Sequence, residues 1–84
     1  MAKLLQTPEA IKVNNTIMGV PISIIRKGKL QQVNSVYQHW RVADEWWRKE
    51  IARDYFRIRT SSALICDIYR DMVDDRWYLS RIHD

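Results

Sequence analysis

The chain has few of the residues that build common catalytic and phosphate-binding sites. Its 84 residues include one cysteine, two histidines and two glycines. A single cysteine, Cys66, excludes an intramolecular disulfide, and its place in an apolar run predicts a small buried hydrophobe rather than a reactive thiol. The two glycines, Gly19 and Gly28, are too few and too far apart for a glycine-rich phosphate loop.

The residues that could bind a metal or act in catalysis do not form a recognisable set. His39 and His83 have no His or Cys neighbour at metal-ligand spacing, and His39 reads as a strand residue with a polar partner. Asp71, Asp74 and Asp75 lack the central glycine and distal glutamate of a calcium loop, which favours a solvated acidic turn. No nucleophilic serine elbow or isolated carboxylate pair is present. We therefore expect a non-enzymatic protein with no catalytic residues, no metal and no cofactor.

Long apolar segments are also missing. No run approaches the roughly 20 apolar residues that a membrane span needs, and the first residues are too polar for a signal peptide. A chain of this size forms one domain, 1–84, in which we expect residues 1–9 to be loosely ordered. The absence of disulfides favours a reducing compartment, so we expect a cytoplasmic protein without membrane contact.

Aromatic residues and charges are distributed unevenly. All nine aromatic residues lie between Tyr37 and Tyr78. Residues 1–36 carry five basic groups and one acidic group, which accounts for the whole net charge of +4. From residue 37 onward, nine basic and nine acidic groups cancel. This division weakens the simplest interpretation, a basic aromatic surface for nucleic acid.

The first strands predict a hairpin. Residues 20–25 are rich in β-formers, and Arg26-Lys27-Gly28-Lys29 follows them with a glycine that can take the positive φ of a two-residue turn. Pairing Arg26 with Lys29 sets Ile25 opposite Leu30 and Ile22 opposite Val33. In the next run, 30–42, the apolar parity changes after Val33, which predicts a β-bulge near Asn34-Ser35 that brings Val33 and Val36 onto one face.

Three further strands are predicted, at 55–59, 63–69 and 76–82, and a shorter strand at 10–13 precedes a turn at Asn14-Asn15. Two registers of the later hairpin keep its apolar pairs. We prefer the one that places Phe56 opposite Ile68, Ile58 opposite Cys66 and Arg57 opposite Asp67, because it also pairs unlike charges. The strand parity places Phe56, Ile58 and Ile68 on one buried face with Trp40.

The fold class predicted is all-β. Five or six short strands around one core indicate a single bent antiparallel sheet or a small, partly open SH3-like barrel. Acid-first pairs four residues apart, such as Asp44 and Arg48, leave room for one short helical turn near 44–51.

Three features could form a contact surface. The pair Trp46-Trp47 rarely buries both rings, so one ring is expected to be exposed, although a Trp that only covers the core is the alternative. Arginines gather around Tyr55, and they could bind phosphates or be neutralised by internal acids. The cationic tip Arg26-Lys27-Gly28-Lys29 could contact phosphate or merely protect an edge and aid solubility.

A series of short motifs extends along the chain from Pro21 to the end. They are a Pro-containing strand at Pro21, a turn at Lys27-Gly28, the pairs Trp40-Arg41 and Trp46-Trp47, the strand Asp54-Tyr55-Phe56-Arg57-Ile58, Tyr69-Arg70-Asp71, Trp77-Tyr78-Leu79 and a terminal Asp84. This pattern resembles an uncharacterised family of small bacterial all-β proteins encoded beside, or fused to, error-prone translesion DNA polymerases. The chain departs from the family by lacking Gly and Pro around 48–52 and in the turn at 71–75. The resemblance implies a role in DNA damage tolerance and supplies no catalytic residues.

Two functions from different classes remain as hypotheses. The first is a protein interaction module that docks on a translesion polymerase or a related component through Trp46, Trp47, Arg48 and Arg53. The second is direct binding of single-stranded DNA or RNA, in which basic side chains hold phosphates and aromatic rings stack on bases. The residues for that alternative are Arg26, Lys27, Lys29, Tyr55, Arg57 and Arg59.

Overall fold

In the computed structural model, six antiparallel strands follow one another around a closed barrel. The backbone is described for residues 2–46 and 49–83, and side chains for 7–43 and 51–83. The strands are β1 (Ala2–Asn15), β2 (Pro21–Arg26), β3 (Lys29–Trp46), β4 (Lys49–Thr60), β5 (Ile65–Asp71) and β6 (Arg76–His83). The predicted all-β class is confirmed, and the barrel is closed, β1 pairing with both β2 and β6.

The β2–β3 hairpin follows the predicted register over most of its length. Arg26 pairs with Lys29 and Ile25 with Leu30. Lys27 and Gly28 take φ values of 51° and 77°, the positive pair that a tight two-residue turn requires. The ladder ends at Ser23 opposite Gln32, so the predicted pair of Ile22 and Val33 is not among its pairs, and Val33 pairs instead with Thr60 of β4.

Strand β3 contains two irregularities. The first lies between Val33 and Ser35, where the sequence predicts a bulge. Val33 and Val36 then pair with the inward-facing Thr60 and Ile58, so the bulge places both valines on the predicted common face. The second irregularity lies between Val36 and Gln38 and was not predicted. It reverses the parity of the rest of the strand.

That second bulge makes one core prediction wrong. Trp40 pairs with Tyr55 and stacks on it, whereas Phe56, on the other face, pairs with His39. The remaining members of the predicted face, Phe56, Ile58 and Ile68, are all buried. The full core comprises Ile11, Ile24, Phe56, Ile58, Cys66, Ile68, Trp77 and Leu79.

Two local predictions are also corrected. The short helical turn near 44–51 is wrong, because β3 continues to Trp46 and β4 begins at Lys49, with Ala43 opposite Ala52 and Trp46 opposite Lys49. The turn expected at Asn14-Asn15 is wrong, because β1 continues through Asn15 and the turn follows at 16–19, where the Gly19 amide donates to the Thr16 carbonyl at 2.9 Å. Asn14 belongs to β1, where its side-chain amide donates to the Ser23 hydroxyl at 3.0 Å.

Strand β1 runs from Ala2, much further than the short strand expected at 10–13. The expectation of loose order in 1–9 concerns mobility and stays a prediction.

Candidate functional site

Alternation along β4, β5 and β6 places two different sets of side chains on the two faces of the same strands. Tyr55 pairs with Trp40 on one side and with Tyr69 on the other, and Tyr69 pairs with Tyr78. Since residues directly opposite each other in a ladder share a face, these four rings form a line across four strands on the outside of the barrel. We refer to Trp40, Tyr55, Tyr69 and Tyr78 as the outer aromatic row.

The rings of the row pack on one another. Ring centroids lie 5.3 Å apart for Trp40 and Tyr55, 4.9 Å for Tyr55 and Tyr69, and 5.2 Å for Tyr69 and Tyr78. These distances are close to the roughly 4.8 Å between neighbouring strands, so each ring stands beside the next across the ladder. Tyr69 is only 3% exposed, although it lies on the outer face. Ring faces are thus largely covered by other rings, which leaves little room for a base to stack between them.

Two arginines lie along the row. The guanidinium carbon of Arg53 lies 4.8 Å from the Tyr69 ring centroid, and its Nη1 donates to the Tyr55 hydroxyl at 3.4 Å. The guanidinium carbon of Arg57 lies 5.8 Å from the Trp40 ring centroid. A cation over an aromatic face is stabilised by the ring quadrupole, and the arginine stem covers apolar ring surface.

Arg57 is held by a buried carboxylate. Its Nε and Nη2 donate to the two carboxylate oxygens of Asp67 at 2.9 and 3.3 Å. His83 Nε2 lies 3.1 Å from Asp67 Oδ2, close enough for an ion pair when the imidazole is protonated. Burial alone would raise the pKa of Asp67, but the Arg57 hydrogen bonds and the nearby His83 outweigh it, and the net shift is downward. Asp67 is therefore ionised at neutral pH and fixes Arg57 in place.

A shallow pocket opens between the row and this ion pair. It has a volume of about 250 Å³. Its walls combine aromatic, cationic and anionic side chains. The lining residues are Trp40, Tyr55, Arg57, Asp67, Ser80 and Arg81.

The inner face near one end of the barrel carries a second group of charges. Asp54 accepts from Arg41 Nε at 3.1 Å, and its Oδ1 lies 3.0 Å from His39 Nε2. The polar partner predicted for His39 is thereby confirmed, and its ring also stacks on Phe56 at 4.4 Å. Burial raises the pKa of Asp54, yet the Arg41 and His39 hydrogen bonds lower it by more.

Several arginines are thus neutralised within the chain. Arg57 pairs with Asp67 and Arg41 pairs with Asp54. In addition, Arg26 Nε lies 2.7 Å from Glu9 Oε2, and Arg70 Nη2 lies 2.6 Å from Asp75 Oδ1. The sequence left open whether the arginines would meet internal acids or stay available for phosphates. Of the arginines around Tyr55, Arg57 is paired with an internal acid, Arg53 donates to the Tyr55 hydroxyl, Arg59 has no ion pair among the described residues, and Arg48 lies outside them.

The residues expected to bind a protein partner are only partly brought together. Arg53 lies beside the outer aromatic row. The backbone of Trp46 lies opposite Lys49 at the end of the β3–β4 ladder. Trp47 and Arg48 lie outside the described residues.

The residues expected to bind nucleic acid fall into two groups. Tyr55, Arg57 and Arg59 share the outer face of β4, where Arg59 is exposed. The hairpin tip with Lys27 and Lys29 is elsewhere, because Arg59 pairs with Ser35, about 20 Å along β3 from Lys29. Arg26 is held by Glu9. The two groups do not form one continuous site.

Trp40, Tyr69 and Tyr78 are site residues that sequence reasoning missed. The preferred register already implies that Tyr55 faces Tyr69, since Phe56 faces Ile68 in the same ladder. Extending that register to β6 would have revealed three of the four rings. The position of Trp40 depends on the second bulge of β3 and had no comparable signal.

Within the described part of the chain, no group of three or more His, Cys, Asp or Glu side chains is placed to hold a metal ion. Over the same residues, no helix is long and apolar enough to cross a membrane. Cys66 is buried, as predicted, and burial raises the pKa of its thiol to about 12.

Together, the fold and the outer aromatic row define a small closed antiparallel barrel with a mainly aliphatic interior and one aromatic, arginine-flanked outer face. The chain belongs to the family described as Domain of unknown function (DUF6504), whose model matches residues 6–84. The family resemblance read from the sequence is to this extent confirmed: the protein is a member of an uncharacterised small-domain family. No curated protein and no solved structure shows a significant match to the chain.

Proposed function

We propose that this protein is a non-enzymatic interaction module that docks on a protein partner through the outer aromatic row and the arginines beside it. One observation carries the proposal: Trp40, Tyr55 and Tyr78 are half-buried at the surface between Arg53 and Arg57, beside an open pocket. Tyr, Trp and Arg are the residue types that dominate binding energy at protein interfaces. Their ordered packing costs little further side-chain entropy on binding.

The internal pairing of charge supports a protein partner over a phosphate backbone. A nucleic-acid surface gains affinity from cations that neutralise phosphates. Here Arg57 is already paired with Asp67, and the ring faces of the row cover one another. Such a surface still suits a protein partner, whose side chains can insert edge-on into the pocket. The partner we propose is a polymerase component of DNA damage tolerance, and this rests on the family resemblance alone. An intracellular location follows from the same proposal.

Binding of the purified protein to a purified translesion polymerase component would test the proposal. We expect Tyr55→Ala to weaken binding about thirtyfold or more, because truncated hot-spot aromatics commonly cost about 2 kcal/mol or more. Arg59→Ala is the matched control, since Arg59 lies on the same strand and face but outside the row. The double variant Trp46→Ala, Trp47→Ala tests the surface expected from the sequence.

Each outcome assigns the surface. Loss with Tyr55→Ala and not with Arg59→Ala supports the outer aromatic row. Equal binding by wild type and folded Tyr55→Ala, with loss in the Trp46 and Trp47 double variant, would move the contact to the end of the β3–β4 hairpin. Absence of binding by wild type would reject the polymerase as partner.

Direct binding of single-stranded nucleic acid is the second candidate. It is favoured by Lys27, Lys29 and Arg59, which are exposed and have no ion pair among the described residues. Fluorescence anisotropy with a labelled oligonucleotide at two salt concentrations tests it. Real phosphate contacts lose affinity steeply as salt rises, because counterions are released on binding. No binding at low salt would eliminate this candidate.

A further inference from the structure

Strand β3 has an unpaired edge over more than half of its length. Its residues 29–32 pair with β2, whereas residues 33–46 pair only with β4 among the described strands. Strand β2 begins at Pro21 and its ladder with β3 ends at Ser23 opposite Gln32. The edge of 33–46 that faces away from β4 therefore lacks a neighbouring strand. The side chains of 34–39 and 41–43 are exposed, in agreement with an open edge.

The regular part of this edge begins at Gln38. The two bulges of β3 precede it, and they disrupt the backbone near Asn34 and Tyr37. Bulges of this kind protect an edge from pairing with other chains. From Gln38 to Trp46 the pairing with β4 is unbroken. An unpaired strand edge offers backbone donors and acceptors to an added strand, which is a recurring way of binding extended peptides.

The outer aromatic row ends on this edge strand. Trp40 stacks on Tyr55 of β4, and none of the described strands pairs with β3 on its other side at this position. Neighbouring rings in the row lie 4.9–5.3 Å apart because they follow the strand spacing. A strand added beside β3 would place one side chain directly opposite Trp40 at a similar distance. An aromatic side chain there would continue the row by one ring.

Charge on the outer face favours an acidic segment. The outward positions of β4, β5 and β6 carry more arginine than aspartate. Among the outward positions whose side chains are described, they are Arg53, Arg57, Arg59, Arg76 and Arg81 against Asp67 and Asp71, five cations against two anions. Trp40 projects from the same outer face, so it lies beside a net positive charge. Gln38 and Val42, the positions next to Trp40 on this face, pair with Arg57 and Arg53.

We propose that an extended acidic segment of a protein partner adds to the free edge of β3 at 38–43 as a further antiparallel strand. It carries an aromatic residue opposite Trp40, and acidic residues two positions before and after that aromatic lie opposite Gln38 and Val42, where they face the net positive charge of the outer face. The proposal rests on the proposed docking function and names the chemistry of the partner. It adds backbone pairing to the side-chain contacts of the row.

Synthetic peptides test the edge without altering the protein. The probe is a short peptide with a central tryptophan, a glutamate two positions away on each side, and threonine or valine elsewhere. Two further peptides carry N-methyl groups on alternate backbone amides, in opposite phases. Only alternate amides of a strand point toward its neighbour. We therefore expect one methylated peptide to lose binding and the other to bind within about threefold of the parent.

Side-chain controls complete the experiment. Alanine in place of the tryptophan should weaken binding by about threefold to tenfold, the range for one aromatic pair. Lysine in place of both glutamates should abolish binding. Trp40→Ala in the protein should weaken binding of the parent peptide by the same threefold to tenfold, because it removes the other ring of that pair. Sedimentation of the protein alone shows whether a second copy occupies the edge.

The outcomes separate this proposal from the docking function. Equal affinity or equal loss for the two methylated peptides, or no binding of the parent peptide, would overturn strand addition. Polymerase binding that still depends on Tyr55 would then remain valid. A dimer of the free protein that dissociates on Trp40→Ala would assign the edge to a second copy and also overturn the proposal. Failure of Tyr55→Ala to affect the polymerase, with phase-dependent peptide binding, would reject the docking face and keep the edge.

Discussion

The two faces of strands β4, β5 and β6 use apolar side chains in different ways. The inner face consists mainly of aliphatic side chains, and Ile58, Ile68 and Leu79 are fully buried there. The outer face carries three of the four tyrosines, interleaved with charged residues. The inner face therefore gains stability from exclusion of water, whereas on the outer face Trp40, Tyr55 and Tyr78 stay half-buried beside arginine side chains. Ordered aromatic surface of the second kind is what a binding face needs.

The largest effect expected from this difference is at Phe56. Phe56→Ala removes a buried ring that packs on Trp77 at 5.7 Å, and it should lower the free energy of unfolding by about 3–5 kcal/mol. Tyr55→Ala, one residue away on the outer face, removes a half-exposed ring from the row and should cost about 1 kcal/mol. Urea denaturation of both variants measures the two values. A greater loss for Tyr55→Ala would mean that the outer face, not the inner one, holds the barrel together.

The second effect concerns charge instead of apolar area. Asp67→Asn should lower the free energy of unfolding by about 2 kcal/mol at neutral pH, because it weakens charge-assisted hydrogen bonds from Arg57 to a nearly buried group. Asp75→Asn is the control. Its carboxylate also meets an arginine, Arg70, but is 72% exposed, so the cost should be below about 0.5 kcal/mol. Similar losses at both positions would show that burial of Asp67 does not strengthen its ion pair.

The Asp67 carboxylate also predicts how the free energy of unfolding depends on pH. The pKa of Asp67 in the folded protein is lowered from its usual 3.8, so the unfolded chain takes up the proton first as pH falls. The stability that the ionised carboxylate contributes is fully present above about pH 4 and is lost as pH falls through the folded-state pKa. The difference between wild type and Asp67→Asn should therefore shrink below about pH 4. A difference that is constant between pH 3 and pH 7 would contradict the lowered pKa.

Sequence periodicity predicted the part of the fold that depends on side-chain alternation. The register of β4 and β5 was correct because the unlike charges of Arg57 and Asp67 distinguished it from a second register that also keeps the apolar pairs. The first bulge of β3 was visible in the sequence because Val33 and Val36 would lie on opposite faces of a regular strand. The second bulge, near Tyr37, does not change the apolar pattern of the sequence, because Val36, Gln38 and Trp40 alternate as they would in a regular strand. Trp40 was consequently placed in the core.

The β3–β4 hairpin shows a different reason for error. Asp44 and Arg48 lie four residues apart with the acid first, an order that suits a helix. Such pairs contribute only a few tenths of a kcal/mol, whereas the β3–β4 ladder continues without interruption to Trp46 opposite Lys49. The strand pairing prevails. The outer aromatic row could not be predicted in full for a related reason, since it requires the registers of three hairpins at once.

A smaller effect tests whether the arginines of the outer face contribute equally to the free energy of unfolding. Arg57→Ala should cost about 1–2 kcal/mol, since it leaves the nearly buried Asp67 with fewer partners. A pair with an exposed acid would contribute less than about 1 kcal/mol, but Asp67 is nearly buried. Thermal and urea denaturation should agree on the value. A cost below 0.5 kcal/mol would indicate that His83 alone compensates Asp67.

The smallest effect is expected at Arg59. It lies two residues from Arg57 on the same face of β4 but is exposed and has no ion pair among the described residues. Arg59→Ala should change the free energy of unfolding by less than about 0.5 kcal/mol, the usual range for such surface positions. Its effect on oligonucleotide anisotropy is the informative measurement, because a free cation is available to phosphate whereas Arg57 is not. If Arg59→Ala lowers oligonucleotide affinity and Arg57→Ala does not, nucleic acid uses the free cations. If neither variant changes it, the outer face of β4 plays no part in binding phosphate.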